Sequence, residues 1–197
     1  MALAGRSPSG FGLGQTRGMS FPELAAWRFV DAVDGFEVCF PASGRLRGHT
    51  SAVEDGLAYA VRYDIRHDGW RCREAVVHSD TVDGPQEVRL ACAGNRWTVD
   101  GVRRPDLDGL VDIDLEASAC TNSFPVHRLD LPVGEVVRAS AVYVQALDLT
   151  VRRLDQFYRR LDERRLHYTS EGGFEAELVY DEHLLVLDYP GIAQRVA

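Results

Sequence analysis

The sequence predicts an all-β protein: a curved antiparallel sheet that closes into a barrel or half-barrel and carries at most one or two short helices. Two observations predict it. From Gly35 onward, apolar and polar residues alternate in short runs, the period that sets one row of side chains on one face of a pleated strand. Asp-Gly pairs at Asp34-Gly35, Asp55-Gly56, Asp68-Gly69, Asp83-Gly84 and Asp100-Gly101 punctuate those runs, and Asp-Gly takes the positive φ angles of tight hairpin turns. So many strands must hide their edges, and closing the sheet hides them while enclosing an interior. That interior either holds a ligand or is filled by its own side chains.

Taken in order, residues 1–18 are rich in Gly, Ser and Arg and lack periodicity, which predicts a disordered leader ahead of one β-rich domain over 19–197. Gly10, Gly12 and Gly14 mimic a phosphate loop, but no strand precedes them. Strands are expected at 36–40, 45–52, 57–64, 71–79, 86–93 and 96–99, then at 111–115, 136–145, 166–169, 174–180 and 185–188, with Gly172-Gly173 as a turn. Two segments depart from the pattern. Leu154, Phe157, Tyr158 and Leu161 fall at helical spacing, so 151–161 is expected as a short amphipathic helix, with a strand and turn as the alternative. Pro125 and Pro132 bracket a stretch expected to be extended or irregular.

Composition narrows the function. Of 197 residues, 45% are apolar and 26% charged, which is ordinary for a globular chain. A net charge of −8 and a pI near 5.2 are wrong for a generic nucleic-acid binder or for adhesion to an anionic membrane. All 22 basic residues are Arg, a bias typical of a GC-rich genome, and the lack of Lys removes Schiff-base and P-loop chemistry. Cys39, Cys72, Cys92 and Cys120 are widely spaced and form no zinc pattern, so free, mostly buried thiols and no metal or other cofactor are expected. No run approaches the roughly 18 apolar residues of a membrane span, and no secretory signal is visible. A cytoplasmic protein without a transmembrane segment is expected, and self-association is left open.

The most specific signal is Leu107 to Leu129, LDGLVDIDLEASACTNSFPVHRL. It resembles the central motif of the bacterial family named "Putative glycolipid-binding", which runs Leu-Asp-Gly, Asp-x-Asp-Leu, then Thr-Pro-x-Thr-Asn-Thr-Leu-Pro-Ile-Arg-Arg-Leu. Tyr59, Asp64, Trp70, Arg71 and Arg73 resemble a second segment of that family, and Trp97 with Asp100-Gly101 a third. Gln156, Tyr158, Tyr168, Phe174 and Asp188-Tyr189-Pro190-Gly191 follow in the family's order. Ser118 and Ala119 stand where the family has Thr-Pro, Ser123 where it has Thr, Phe124 where it has Leu, and His127 where it has Arg. The resemblance implies a fold similar to the barrel or half-barrel carriers of lipoproteins and glycolipids, with an apolar cavity for a small amphiphilic ligand such as a glycolipid. If the replaced Arg contacts ligand, His127 makes binding weaker or pH-sensitive.

The candidate site residues are Asp112, Asp114, Thr121, Asn122, His127, Arg128, Trp70 and Tyr189. Asp112 and Asp114 lie two apart in a strand, so their Cα atoms are roughly 6.5 to 7 Å apart on one face. That is compatible with the carboxyl separation of about 6.5 to 9.5 Å in an inverting glycosidase, which makes a hydrolase or isomerase of a sugar-like substrate the alternative to non-catalytic binding. The structural reading pairs these acids with Arg128; gripping an anionic head group is that arginine's other role. Thr121 and Asn122 either cap a proline-bounded turn or bind sugar hydroxyls. Trp70 and the later tyrosines, Tyr189 among them, either line a cavity or fill the core. Asp106 and Asp108 beside Gly109 do not make an EF-hand, because its first and twelfth positions would be Arg104 and Leu115. No catalytic residue is assigned: Cys120 and His127 lack an orienting partner, and no GxSxG or HExxH motif occurs.

Overall fold

The computed structural model describes residues 21–31 and 33–197; the expected leader over 1–18, with Gly10, Gly12 and Gly14, lies outside them. The strands are β1 (Ala25–Phe29), β2 (Val33–Ala42), β3 (Arg45–Glu54), β4 (Leu57–Asp68), β5 (Arg71–Thr81), β6 (Gly84–Ala93), β7 (Arg96–Val99), β8 (Val102–Arg104) and β9 (Asp112–Leu115). They continue as β10 (Val136–Arg138), β11 (Ala141–Val144), β12 (Val151–Leu154), β13 (Gln156–Arg160), β14 (Arg165–Ser170), β15 (Glu175–Tyr180), β16 (Val186–Tyr189) and β17 (Ala193–Arg195). Fourteen of them form one antiparallel sheet in the order β10-β13-β14-β15-β16-β17-β1-β2-β3-β4-β5-β6-β7-β8. Its edge strands β10 and β8 do not pair with each other, so hydrogen bonds leave this half-barrel open. A small sheet, β12-β11-β9, joins β11 to β9 in parallel. No helix among the described residues is long and apolar enough to cross a membrane.

Alternation carries the long strands. Leu46, Gly48, Thr50 and Ala52 on β3, Tyr59, Val61, Tyr63 and Ile65 on β4, and Val88, Leu90 and Cys92 on β6 are buried, while the residues between them are half-buried or exposed. These inner rows belong to one core with the second layer, formed by the small sheet and its flanking loops. Four polar ties fix that layer to the large sheet. Thr50 Oγ1 donates to the Ala117 carbonyl at 2.5 Å, Ser79 Oγ to the Ala146 carbonyl at 2.5 Å, the Cys72 amide to the Val111 carbonyl at 2.8 Å, and Trp97 Nε1 to the Leu110 carbonyl at 2.9 Å. Each satisfies a carbonyl that the second layer would otherwise bury unpaired.

Several expectations are corrected. The segment expected as a helix over 151–161 is two strands, β12 and β13: Gln156 and Tyr158 face the core while Phe157 is 39% exposed, so the working period is two. The single strand expected over 136–145 is two strands in different sheets, β10 and β11. Between β10 and β13 the chain therefore steps between layers twice, near Ser140 and again at Asp155. The stretch between Pro125 and Pro132, expected to be extended or irregular, begins inside a short helix, α1 (Ser123–Arg128), which follows a 3-10 turn at Cys120–Asn122, and is irregular only from Leu129. Pro125 sits in its first turn, where an amide has no helical acceptor to lose. Strands β1, β8 and β17 carry no alternation long enough to be read from sequence.

The turns at Asp55-Gly56 and Asp100-Gly101 have the expected positive φ angles, 50° and 78°, then 50° and 77°. At Asp68-Gly69 the turn is displaced by one residue, onto Gly69 and Trp70. Asp34-Gly35 is not a turn but lies within β2, where a Cβ on Gly35 would sit 2.5 Å from that of Ala52 on the paired strand. Gly48 plays a comparable part on β3. It pairs with Tyr63, whose buried ring crosses it so closely that a Cβ would meet the ring carbon at 2.2 Å. The phenol cannot swing away without losing its hydrogen bond to Glu37. Gly48→Ala should therefore destabilise the fold by about 1–3 kcal/mol, read as a lower urea midpoint at unchanged slope; an unchanged midpoint would show that the ring is free to move.

Candidate ligand-binding site

The loop from Glu116 to Asn122 is held from below by Glu37, which has no solvent exposure. Tyr63 Oη and Ser118 Oγ donate to its Oε1 at 2.6 and 2.5 Å, and the Ala119 and Cys120 amides to its Oε2 at 2.7 and 3.4 Å. Burial pushes this carboxyl up to about 7, against the pull of its four donors. Beside it, Cys120 Sγ lies 3.3 Å from Cys39 Sγ, and all four cysteines are free and buried.

Above this fastening opens a pocket of about 290 Å³ between the large sheet and the second layer. Asp114 from β9 and Asn122 give it polar groups, and Tyr59, Tyr143, Tyr168, Tyr189 and Phe174 give it aromatic walls. Asp114 is fixed by Gln156 Nε2, which donates to Oδ2 at 2.5 Å, and by Thr121 Oγ1, 3.1 Å from Oδ1. Burial raises its carboxyl to about 6. Asn122 accepts from Tyr158 Oη at 3.3 Å. Tyr168 and Tyr189 meet edge to face at 6.0 Å, with Phe174 6.1 and 6.0 Å from their centroids.

Three further acids line this pocket. Glu116 accepts from Tyr143 Oη at 2.6 Å and from the Ala146 amide at 2.8 Å; Glu171 pairs with Arg152 at 2.5 Å; burial raises the carboxyl of Glu54. One guanidinium, that of Arg152, stands among four carboxyl groups. The lining therefore disfavours an anion and suits a ligand rich in hydroxyl donors.

The sequence-predicted residues fall into three places. Asp114, Asn122 and Tyr189 line the pocket, and Thr121 braces Asp114 from behind. Asp112 and Arg128 form a bidentate pair at 2.9 and 2.5 Å, so Asp112 is committed to that arginine and does not line the pocket with Asp114. Trp70 and His127 stack on one another at 3.7 Å and 3°, in a cluster with His67 and Phe124 that the pocket does not include. Burial lowers His127 to about 4, so it stays neutral near neutrality rather than switching there. Sequence reasoning missed Glu37, Glu54, Glu116 and Tyr143. Glu54 and Glu116 end a strand and open a loop, where acids are ordinary surface residues. Glu37 was hidden by its neighbours, because Phe36, Val38 and Phe40 suggest the opposite face as the buried one.

Fold and site together define a class: an all-β half-barrel, layered over by a small sheet, with a polar-floored aromatic pocket between the two. Residues 25–195 match the family model described as "Putative glycolipid-binding", and the chain belongs to that family. The crystal structure at 1.80 Å of a DUF1089 family protein from Pseudomonas aeruginosa is similar, with 34% sequence identity, a TM-score of 0.79, and coverage of 86% of this chain and 95% of that one. No curated protein matches the chain.

Glu37 makes a pH prediction with a definite sign. Between its ordinary value of 4.5 and about 7, the folded protein holds a proton that the unfolded chain has released. Stability from this group therefore falls as pH rises through that window and is level above it. The stability of the wild type minus that of Glu37→Gln should drop by on the order of 3 kcal/mol from pH 4.5 to 7 in urea titrations. A difference independent of pH would contradict the burial argument.

Proposed function

We propose that this protein binds the uncharged, hydroxyl-bearing head of a small amphiphile, a glycolipid by the family's description, in the pocket between its two layers, and releases it unaltered. The observation that carries the reading is the lining: aromatic faces beside fixed carboxyl and amide acceptors, with acids outnumbering the single arginine. About 290 Å³ is at the small end for ligand pockets and suits a head group. The apolar part would leave over the rim formed by Val33, Phe174 and Ile192, which also line the pocket. Four free cysteines support action in the cytoplasm.

The competing reading, hydrolysis or isomerisation of a sugar-like substrate, is favoured by one observation, the raised carboxyl of Asp114. With Asp112 committed to Arg128 and Glu171 to Arg152, a second carboxyl would have to be Glu54 or Glu116.

Native mass spectrometry of the purified protein, followed by organic extraction, tests the proposal together with calorimetric titration of alkyl glycosides. Expected are a stoichiometric, intact amphiphile or a saturable heat with the glycosides, and affinity about tenfold weaker in Asp114→Asn. A clean apo mass with no heat across the glycosides would sink the binding reading. Turnover of nitrophenyl glycosides that Asp114→Asn abolishes would replace it with the enzyme.

A further inference from the structure

A second concavity, of about 350 Å³, lies where the chain steps between the two sheets, and shares no lining residue with the interior pocket. Four arginines line it: Arg71 at the start of β5, Arg128 at the end of α1, Arg138 at the end of β10 and Arg153 on β12. Ser140 and Asn95 complete its polar lining. In a chain of net charge −8 this concentration of guanidinium is local and needs a reason.

Structural pairing accounts for only part of it. Asp155 binds Arg138 through Nη2 and Arg153 through Nε, and accepts from Ser140 Oγ at 2.7 Å. Ser140 Oγ in turn accepts from Arg138 Nε at 3.1 Å and Arg153 Nη2 at 3.2 Å. Asp112 takes Nε and Nη2 of Arg128. Three guanidiniums are thus fixed along the same edge, Nε with Nη2, and among the described residues none of their Nη1 groups has a protein acceptor. Arg71 has no ion pair or side-chain hydrogen bond among the described residues. Four cations meet two carboxylates, and the planar forks are already immobilised, which lowers the entropic cost of filling the remaining donors.

We infer that this cleft is an anion site for a tetrahedral oxyanion, a phosphoryl or sulfuryl group with at least two free oxygens, independent of the interior pocket. Nη1 of Arg128, Arg138 and Arg153 supplies donors from fixed positions, and Arg71 adds a charge that ion pairing has not neutralised. A single carboxylate could use two of these donors, whereas a phosphate can use more, so the order of affinity is phosphate and sulfate above acetate.

The test is calorimetric titration of the full chain with inorganic phosphate, sulfate and acetate at constant ionic strength, using the wild type, Arg71→Gln and an outer-face control, Arg62→Gln. Arg71 is exposed and unpaired, so Arg71→Gln is expected to keep the wild-type circular dichroism and melting temperature. Expected is saturable phosphate binding that Arg71→Gln weakens about tenfold and Arg62→Gln leaves unchanged. A soluble phosphorylated sugar and vesicles containing an anionic phospholipid then distinguish the source: competition by the first identifies a free metabolite, by the second a lipid head group. No saturable phosphate binding, or weakening equal in both variants, overturns the inference. Alkyl glycoside binding, measured on the same samples, stands or falls separately.

Discussion

A carboxyl group with no access to water, that of Glu37, gathers a phenol, a serine hydroxyl and two backbone amides around itself. Three of those donors carry the loop that becomes the floor of the pocket, and the fourth, Tyr63, crosses the large sheet over Gly48. Burying such a group is costly unless every lone pair is used, so the four bonds are a condition of the fold rather than an addition to it. Take them away, and the 116–122 loop loses its tie to β2 at the point where Ser118, Asn122 and Asp114 meet the pocket. Thr50 and Ser79 extend the same fastening along the inner face.

The two concavities follow from how the second layer is attached. Because β9, β11 and β12 form a separate sheet, the chain must leave the large sheet after β10 and return to it at β13. The interior face of that small sheet, with Asp114, closes over the aromatic rows of the large sheet. The crossings bring Arg138, Ser140, Arg153 and Asp155 together, and Asp155 is held down to about 2 by Ser140 and the two arginines. Adjacent residues Arg152 and Arg153 serve the two places: Arg152 at the acidic pocket, Arg153 at the basic cleft. The protein thus keeps opposite electrostatic environments on the two sides of a single strand.

Much of this was legible in the sequence. The long hairpins from β3 to β6 were visible because their inner and outer rows differ in polarity and their turns carry Asp-Gly, or Gly69 and Trp70 at positive φ. Asp114, Asn122 and Tyr189, candidate site residues in the sequence, line the interior pocket, and Arg128 pairs with Asp112 as expected. What failed did so for physical reasons. In β2 the apolar residues Phe36 and Phe40 are 40% exposed, while an acid is buried, so local hydrophobicity pointed the wrong way around the strand. Residues 151–161 have apolar spacing that satisfies a helix locally, yet two sheets claim the segment. Trp70 and His127 share a motif with the pocket residues but are drawn elsewhere by their own stacking, which no spacing rule reports.

The most direct test of the central claim is a crystal structure of the protein with an alkyl glucoside. The account predicts a sugar ring between Tyr168, Tyr189 and Asp114, within hydrogen-bond reach of Asn122, with the alkyl chain leaving past Phe174 and Ile192. A glucoside seated outside this pocket, with its tyrosines and carboxyls unengaged, would contradict it.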